Sequence, residues 1–202
     1  MSLVIEPTRD RGCLIISFGG QDQRWGQIRR FEFLRFLSHH FPHLHRHFHL
    51  DSFSSCYHKG IDGHSASVDE TVEYLRRLIR GYRSVYCIGV SSGGYAAILF
   101  GSLLQATGVL AFIPPTRLYR PDTDPKYRDL DPLIHPGTRY LLVGNTSEKQ
   151  PFHHLSHCIH LEHHPNVTVF RESSIHLPAM RDDGRLLAYL NRLLLDETGV
   201  TA

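Results

Sequence analysis

Residues Ser84 to Leu104 read SVYCIGVSSGGYAAILFGSLL, and this stretch decides the fold. It opens on an apolar, β-branched run (Val85, Tyr86, Cys87, Ile88, Val90), the signature of a buried strand. It closes on an apolar run from Tyr95 to Leu104, long enough for a buried helix. Between them lies Gly89-Val90-Ser91-Ser92-Gly93, a G-x-S-x-G motif in the strand-to-helix context of a nucleophile elbow. The spacing has a steric reason. A strand that turns at once into a helix strains the central residue and lifts its side chain off the sheet. Side chains two positions to either side would collide with the neighbouring strand and helix, so those positions are glycine. Ser91 is then a candidate nucleophile. The N–H of Ser92, first in the helix, is unpaired and favours negative charge, as an oxyanion donor requires. A plain Gly-rich turn or a phosphate cradle is the competing reading.

Working outward, short apolar strands alternate with helical patterns. Cys13 to Phe18 is a strand that ends on Gly19-Gly20. Trp25, Ile28, Phe31, Leu34 and Leu37 recur at helical spacing, which predicts a helix over 25–40, stopped by Pro42. His43 to Asp51 alternates as a strand, with His43, His45, His47 and His49 on one face and Leu44, Phe48 and Leu50 on the other. Ser67 to Glu70 is a capping box that opens a helix ending near Gly81. After the elbow helix come a strand over 108–113, a Pro-rich stretch over 114–138, and a strand over 140–144. A His-rich helix over 152–163 leads to a strand over 167–170, and an amphipathic helix over 183–195 follows. Six strands alternating with helices predict an α/β three-layer sandwich: one mostly parallel sheet, helices on both faces, one domain over 1–202. Residues 114–138 are expected to form a lid or substrate-facing loop.

The composition excludes several classes of function. Net charge is +2 with histidine neutral, which leaves no footprint for nucleic acid or an anionic membrane. No apolar run approaches the roughly 20 residues of a membrane span. The start, MSLVIEPTRDRG, lacks the layout of a signal peptide. The 4 cysteines (Cys13, Cys56, Cys87, Cys158) are widely spaced, with neither a disulfide frame nor a zinc pattern. A cytoplasmic protein is expected, with no cofactor, no metal and a small-molecule substrate.

In open α/β sheets the site lies beyond the carboxyl ends of the strands. The residues there are Gly19-Gly20, Asp51, Ser91-Ser92, Pro114, Ser147-Glu148 and Ser174 to His176. His176, after the last strand, is the candidate general base for Ser91. Glu148, after the strand over 140–144, is the candidate acid that orients the imidazole. Asp51, Asp182 and Asp183 are alternatives, and Asn145 or a backbone carbonyl could serve in their place. The amide of Gly20, or that of Gln21, is the candidate second oxyanion donor.

The 16 histidines are the unusual feature. His43, His45, His47 and His49 along one strand face, and His153, His154, His157 and His160 along one helix face, have spacings open to metal binding. Neither set carries a catalytic carboxylate, and the reading favours solvated or incidental histidines, open to adventitious zinc or nickel. Tyr57-His58-Lys59-Gly60 reads as a loop near the pocket.

GVSSGG at 89–94, SFGG at 17–20 and SSIHLP at 173–178 resemble the α/β-hydrolase superfamily in a reduced form that lacks the first two strands of larger members. FHLD followed by YHKG is similar to a group of short bacterial serine-hydrolase-like proteins. The order Ser91, Glu148, His176 matches the family's nucleophile–acid–histidine order. The acid slot departs from the usual G-x-x-D. The resemblance implies serine-dependent hydrolysis of an acyl ester or thioester, or acyl transfer on the same triad. A non-catalytic binding protein on the same fold and a metal-dependent enzyme are the alternatives.

Overall fold

The computed structural model describes residues 1–8, 11–20, 24–25, 28–29 and 31–195. Their centre is a seven-stranded sheet in the order β1-β5-β2-β6-β7-β8-β9. The strands are β1 (Ser2–Ile5), β2 (Cys13–Phe18), β5 (His45–His49), β6 (Ser84–Val90), β7 (Gly108–Phe112), β8 (Arg139–Asn145) and β9 (Val167–Glu172). All neighbours are parallel except β1, which runs antiparallel to β5. The six strands expected from sequence are all present, and β1 is the addition.

The two faces of the sheet follow from the period of two along each strand. Leu14, Ile16 and Phe18 of β2, Cys87 of β6 and Val109 of β7 pack under α2 (Val68–Leu78) and α3 (Ser92–Leu103). Cys13, Ile15, Tyr86, Ile88, Leu110 and Phe112 alternate with them and pack under α1 (Leu34–His40) and α6 (Arg185–Leu193). This is the three-layer sandwich. Strands β2 and β6 are buried along their whole length, which explains why they read as continuous apolar runs. Helix α3 is buried almost all round, whereas α2 is amphipathic and buries Val68, Thr71, Val72 and Leu75. Ser67 Oγ accepts the Glu70 N–H, and Glu70 Oε2 accepts the Ala66 N–H, so the start of α2 is capped in both directions. No described helix is long and apolar enough to cross a membrane.

Three expected helices are shorter than their patterns. The one over 25–40 keeps only α1: residues 24–25 (β3) and 28–29 (β4) pair as a small antiparallel ribbon, and Phe33 in a left-handed conformation, φ 64°, starts α1 afresh. The His-rich one is broken into a 3-10 turn, Pro151–His153, and α4, Ser156–His160. The last one, over 183–195, keeps α6, which starts after Gly184, and the separate short helix α5 (Leu177–Asp182) precedes it.

The stretch over 114–138 is tied to the body. Asp124 N–H donates to His58 Nδ1 at 3.0 Å, Thr116 N–H donates to His157 Nδ1 at 3.0 Å, the Tyr95 hydroxyl donates to the Tyr127 carbonyl, and Tyr127 and Leu130 are buried.

The histidines of β5 overturn the expectation of solvated side chains. His45, His47 and His49 are buried on the α2 side of the sheet. Residues of the N-terminal segment and Tyr82 supply their partners. His45 meets Tyr82 Oη at 2.7 Å and Thr8 Oγ1 at 3.2 Å, His47 Nε2 meets Glu6 Oε1 at 3.1 Å, and His49 Nδ1 meets Ser2 Oγ at 2.8 Å. Burial holds His47 below its ordinary pKa and takes His49 down to about 3. A histidine kept neutral in the fold binds fewer protons than it does in the unfolded chain. The stability it contributes is complete above about pH 6.5 and is lost progressively from there down to about pH 3. We expect the urea midpoint to fall steadily across this range, and His49→Gln, which takes up no proton, to reduce that dependence.

Candidate active site

The strand order reverses between β2 and β6. The chain leaves β2 for β5 on one side, then crosses over β2 to reach β6 and continues to β7 on the other. A crevice opens at the carboxyl ends of strands at such a switch point. Gly19-Gly20 and Ser91-Ser92 stand at those two ends.

Ser91 lies between β6 and α3 with φ 54° and ψ −123°, a conformation L-residues rarely adopt. The surroundings hold it there. Its N–H donates to Phe112 O at 2.9 Å, and its carbonyl accepts the Tyr95 N–H at 3.0 Å. A Cβ on Gly89 would stand 2.1 Å from Gly93 O, and one on Gly93 would stand 2.1 Å from Phe18 O. Both glycines are therefore required by contact, as the motif implied.

Ser91 Oγ lies 2.7 Å from Nε2 of His153, not of His176. The 3-10 turn Pro151–His153 explains why. Pro151 starts it, and His154, with ψ 143°, ends it in extended backbone that bridges to Asn145. His153 thereby leaves the helical face it would share with His157 and reaches the elbow. Burial lowers its pKa and the charge of Glu148 raises it, with a net shift downward. At neutral pH the ring is uncharged, so Nε2 can accept the Ser91 hydroxyl proton. The Phe152 ring packs edge-on to it at 5.3 Å.

Glu148 accepts the N–H groups of Lys149 and Gln150, both at 2.9 Å. These bonds hold its carboxyl below the ordinary range. It is an anion that builds the turn carrying His153 and faces that ring as a charge; no hydrogen bond joins the two among the described residues.

His176 stands at the N-terminal end of the short helix α5, exposed, and its side chain caps nothing. It follows β9 as expected, yet it makes no hydrogen bond to Ser91. The alternative acids are engaged elsewhere. Asp182 pairs with Arg181 at 2.7 Å and Asp183 with Arg185 at 2.7 Å. Asp51 is buried and accepts the N–H groups of Phe53 and Tyr57, both at 3.3 Å. Asn145 Oδ1 accepts the Ser147 N–H at 3.0 Å.

Of the two candidate oxyanion donors, Ser92 N–H is the first of α3 and has no acceptor within the helix. The Gly20 N–H is already taken, since it donates to Glu32 Oε2 at 2.9 Å. Ser17 Oγ donates to the Glu32 carbonyl at 3.3 Å, so Glu32 pins the end of β2. Gln21 lies outside the described residues. Sequence reading passed over Glu32 as a polar position in an expected helix. Burial raises its pKa to about 7, against the pull of the Gly20 N–H.

A cavity of about 400 Å³ borders the same 3-10 turn and is lined by Arg117, Tyr119, Arg120, Pro151, Phe152 and His157. The larger cavity, about 530 Å³, lies between α2 and the 126–133 stretch among charged groups and shares no residue with the elbow. Neither expected histidine set converges as metal ligands. The one group with that spacing among the described residues is Asp131, His163 and His164, outside this site.

Neither a family model nor a curated protein matches this sequence. Solved structures do. The capsule O-acetyltransferase of Neisseria meningitidis serogroup A, in a variant complexed with CoA, superposes with a TM-score of 0.63 at 13% identity, over 92% of this chain and 90% of that one. A lidless α/β serine hydrolase from Xanthomonas campestris gives 0.57 at 13% identity, over 100% and 90%. The chain has the α/β-hydrolase fold. A glycosylation-associated protein complex from Streptococcus agalactiae matches at 0.62 and 13% identity, over 100% of this chain and 45% of that one.

Glu32 gains a proton on folding, so its contribution to stability is full below about pH 4.5 and is lost as pH rises through about 7. Glu32→Gln keeps an acceptor for Gly20 and removes the charge. We expect its urea midpoint to exceed that of the unsubstituted chain at about pH 8 and to converge with it, or fall below it, at about pH 5.

Proposed function

We propose that this chain is a serine-dependent acyl hydrolase or acyltransferase acting on an ester or thioester. The contact between Ser91 Oγ and His153 Nε2, 2.7 Å on a strained elbow, carries the reading. Ser91 Oγ attacks the acyl carbonyl while His153 Nε2 takes its proton, and the tetrahedral oxyanion faces the Ser92 N–H. Collapse expels the alcohol or thiol, which takes that proton back, and the acyl group stays on Ser91. Water then attacks with His153 again as base, giving hydrolysis; an acceptor hydroxyl or amine in its place gives transfer. Glu148 stabilises the imidazolium formed in each half-reaction as a nearby anion. The structural neighbours, an O-acetyltransferase solved with CoA and a serine hydrolase, support both outcomes. The four buried free thiols fit a reducing compartment.

A second reading keeps His176 as the base. Its support is topological: His176 follows β9, three strands from β6, where the family resemblance implies the histidine.

Fluorophosphonate labelling, with turnover of an activated acetyl ester and of acetyl-CoA, tests both. We expect Ser91→Ala to abolish labelling. His153→Ala should lower kcat/KM by about 10³-fold, and His176→Ala by less than about tenfold. Labelling that persists in Ser91→Ala refutes the reading. A His176→Ala variant that is dead while His153→Ala stays active moves the base to His176.

The acid limb of kcat/KM should lie below about pH 6.5, because burial lowers the His153 pKa. Glu148→Gln removes the charge that raises it, so the limb should move further down. A limb that stays in place would show that Glu148 exerts no field on the base.

A further inference from the structure

We propose that Asp131, His163 and His164 form a binding site for a transition-metal dication of the zinc class, where the 3-10 turn Asp131–Leu133 meets the segment after α4. Nothing in the acyl chemistry uses these residues. His163 Nε2 lies 3.1 Å and His164 Nε2 2.8 Å from the same atom, Asp131 Oδ1. The three ligand atoms lie within 4.8 Å of one another.

The outer hydrogen bond of His163 leaves Nε2 turned toward the carboxylate. Its Nδ1 lies 3.1 Å from the His160 carbonyl, which can only accept, so Nδ1 carries the proton. In the neutral ring Nε2 is then a bare lone pair, and it faces a carboxylate oxygen. Two lone pairs at that distance repel, and either a second ring proton or a metal ion between them removes the repulsion. The bond from Nδ1–H to a backbone carbonyl is also the usual outer support of a metal-bound imidazole. A tetrahedral ion with ligands at about 2.0–2.1 Å needs ligand atoms roughly 3.3 Å apart, so a small opening of the two contacts admits one.

Two imidazole nitrogens and one carboxylate oxygen, with no thiolate, suit Zn²⁺, Co²⁺, Ni²⁺ or Cu²⁺ better than the oxygen-seeking Mg²⁺ or Ca²⁺. The fourth position is left to water, and His163, 61% exposed, gives the ion a way in. Asp129 supports the site from behind. It accepts from the Asp131 N–H at 3.0 Å, from His160 Nε2 at 2.9 Å and from Arg117 Nε at 3.0 Å. A bound ion would tie the 114–138 stretch to the segment that follows α4.

The test is calorimetric titration of the chelator-treated full chain with ZnCl2, alongside Co²⁺ absorption. We expect one high-affinity Zn²⁺ per chain, the visible bands of a tetrahedral Co²⁺ complex, and a Tm raised by Zn²⁺. His163→Ala and Asp131→Asn should each weaken binding at least tenfold and remove the Co²⁺ bands, with fluorophosphonate labelling of Ser91 unchanged. His163 is exposed, so its variant keeps the fold; far-ultraviolet circular dichroism checks both. No high-affinity Zn²⁺, or the same affinity and stoichiometry in both variants, overturns the proposal, the latter because other histidines would then hold the ion.

Discussion

The whole arrangement depends on one backbone conformation, the positive φ of Ser91. A residue held there costs on the order of 1–3 kcal/mol, and the rest of the fold must sustain it. Its support comes from packing on two sides. Gly93 presses against Phe18 O at the end of β2, and Gly89 against the first turn of α3. The elbow thus locks β2, β6 and α3 together at the switch point of the sheet. The apolar residues of all three elements except Leu103 are buried, so close packing opposes the strain.

This explains what the sequence could and could not reveal. The elbow is legible because its cause is local: a buried strand, two positions that admit no Cβ, and a buried helix follow within a few residues. The parallel sheet is legible for the same reason, since strands covered on both faces must be apolar throughout. His153 is not legible. Its place depends on a break at His154, set by Pro151 and by the bridge to Asn145, and the apolar period gives no sign of it. Pro151 is the one signal that could have been used, as a start for a new turn. Chain order points to His176, but chain order fixes only which strand a residue follows, not which way its loop turns.

The β5 histidines show how composition misleads. An alternation of histidine with Leu44, Phe48 and Leu50 reads as a half-solvated strand. It is buried because β1 lies along its outer edge and the residues around β1 bring Ser2, Glu6 and Thr8 to three of the imidazoles. A strand of four residues carries too little pattern to be recognised alone, so both its existence and its polar partners escaped the reading. The Asp131 group escaped for another reason. His163 and His164 are adjacent, but their carboxylate comes from more than thirty residues earlier.

Two carboxylates frame the candidate site and are tuned in opposite directions. Glu148 sits in a turn that offers it two N–H groups and little burial, so it remains ionised where a charge can steady an imidazolium. Glu32 has one N–H and a desolvated setting, so it is drawn toward neutrality near pH 7. If the two were exchanged, the anion would sit at the end of β2, and His153 would lose its field. The Gly20 amide follows the same logic. Committed to Glu32, it fixes the end of β2, and the Ser92 N–H at the start of α3 is left without an acceptor in the helix. The closed amide at Gly20 follows from the Glu32 carboxylate, and the open amide at Ser92 from its place as the first residue of α3.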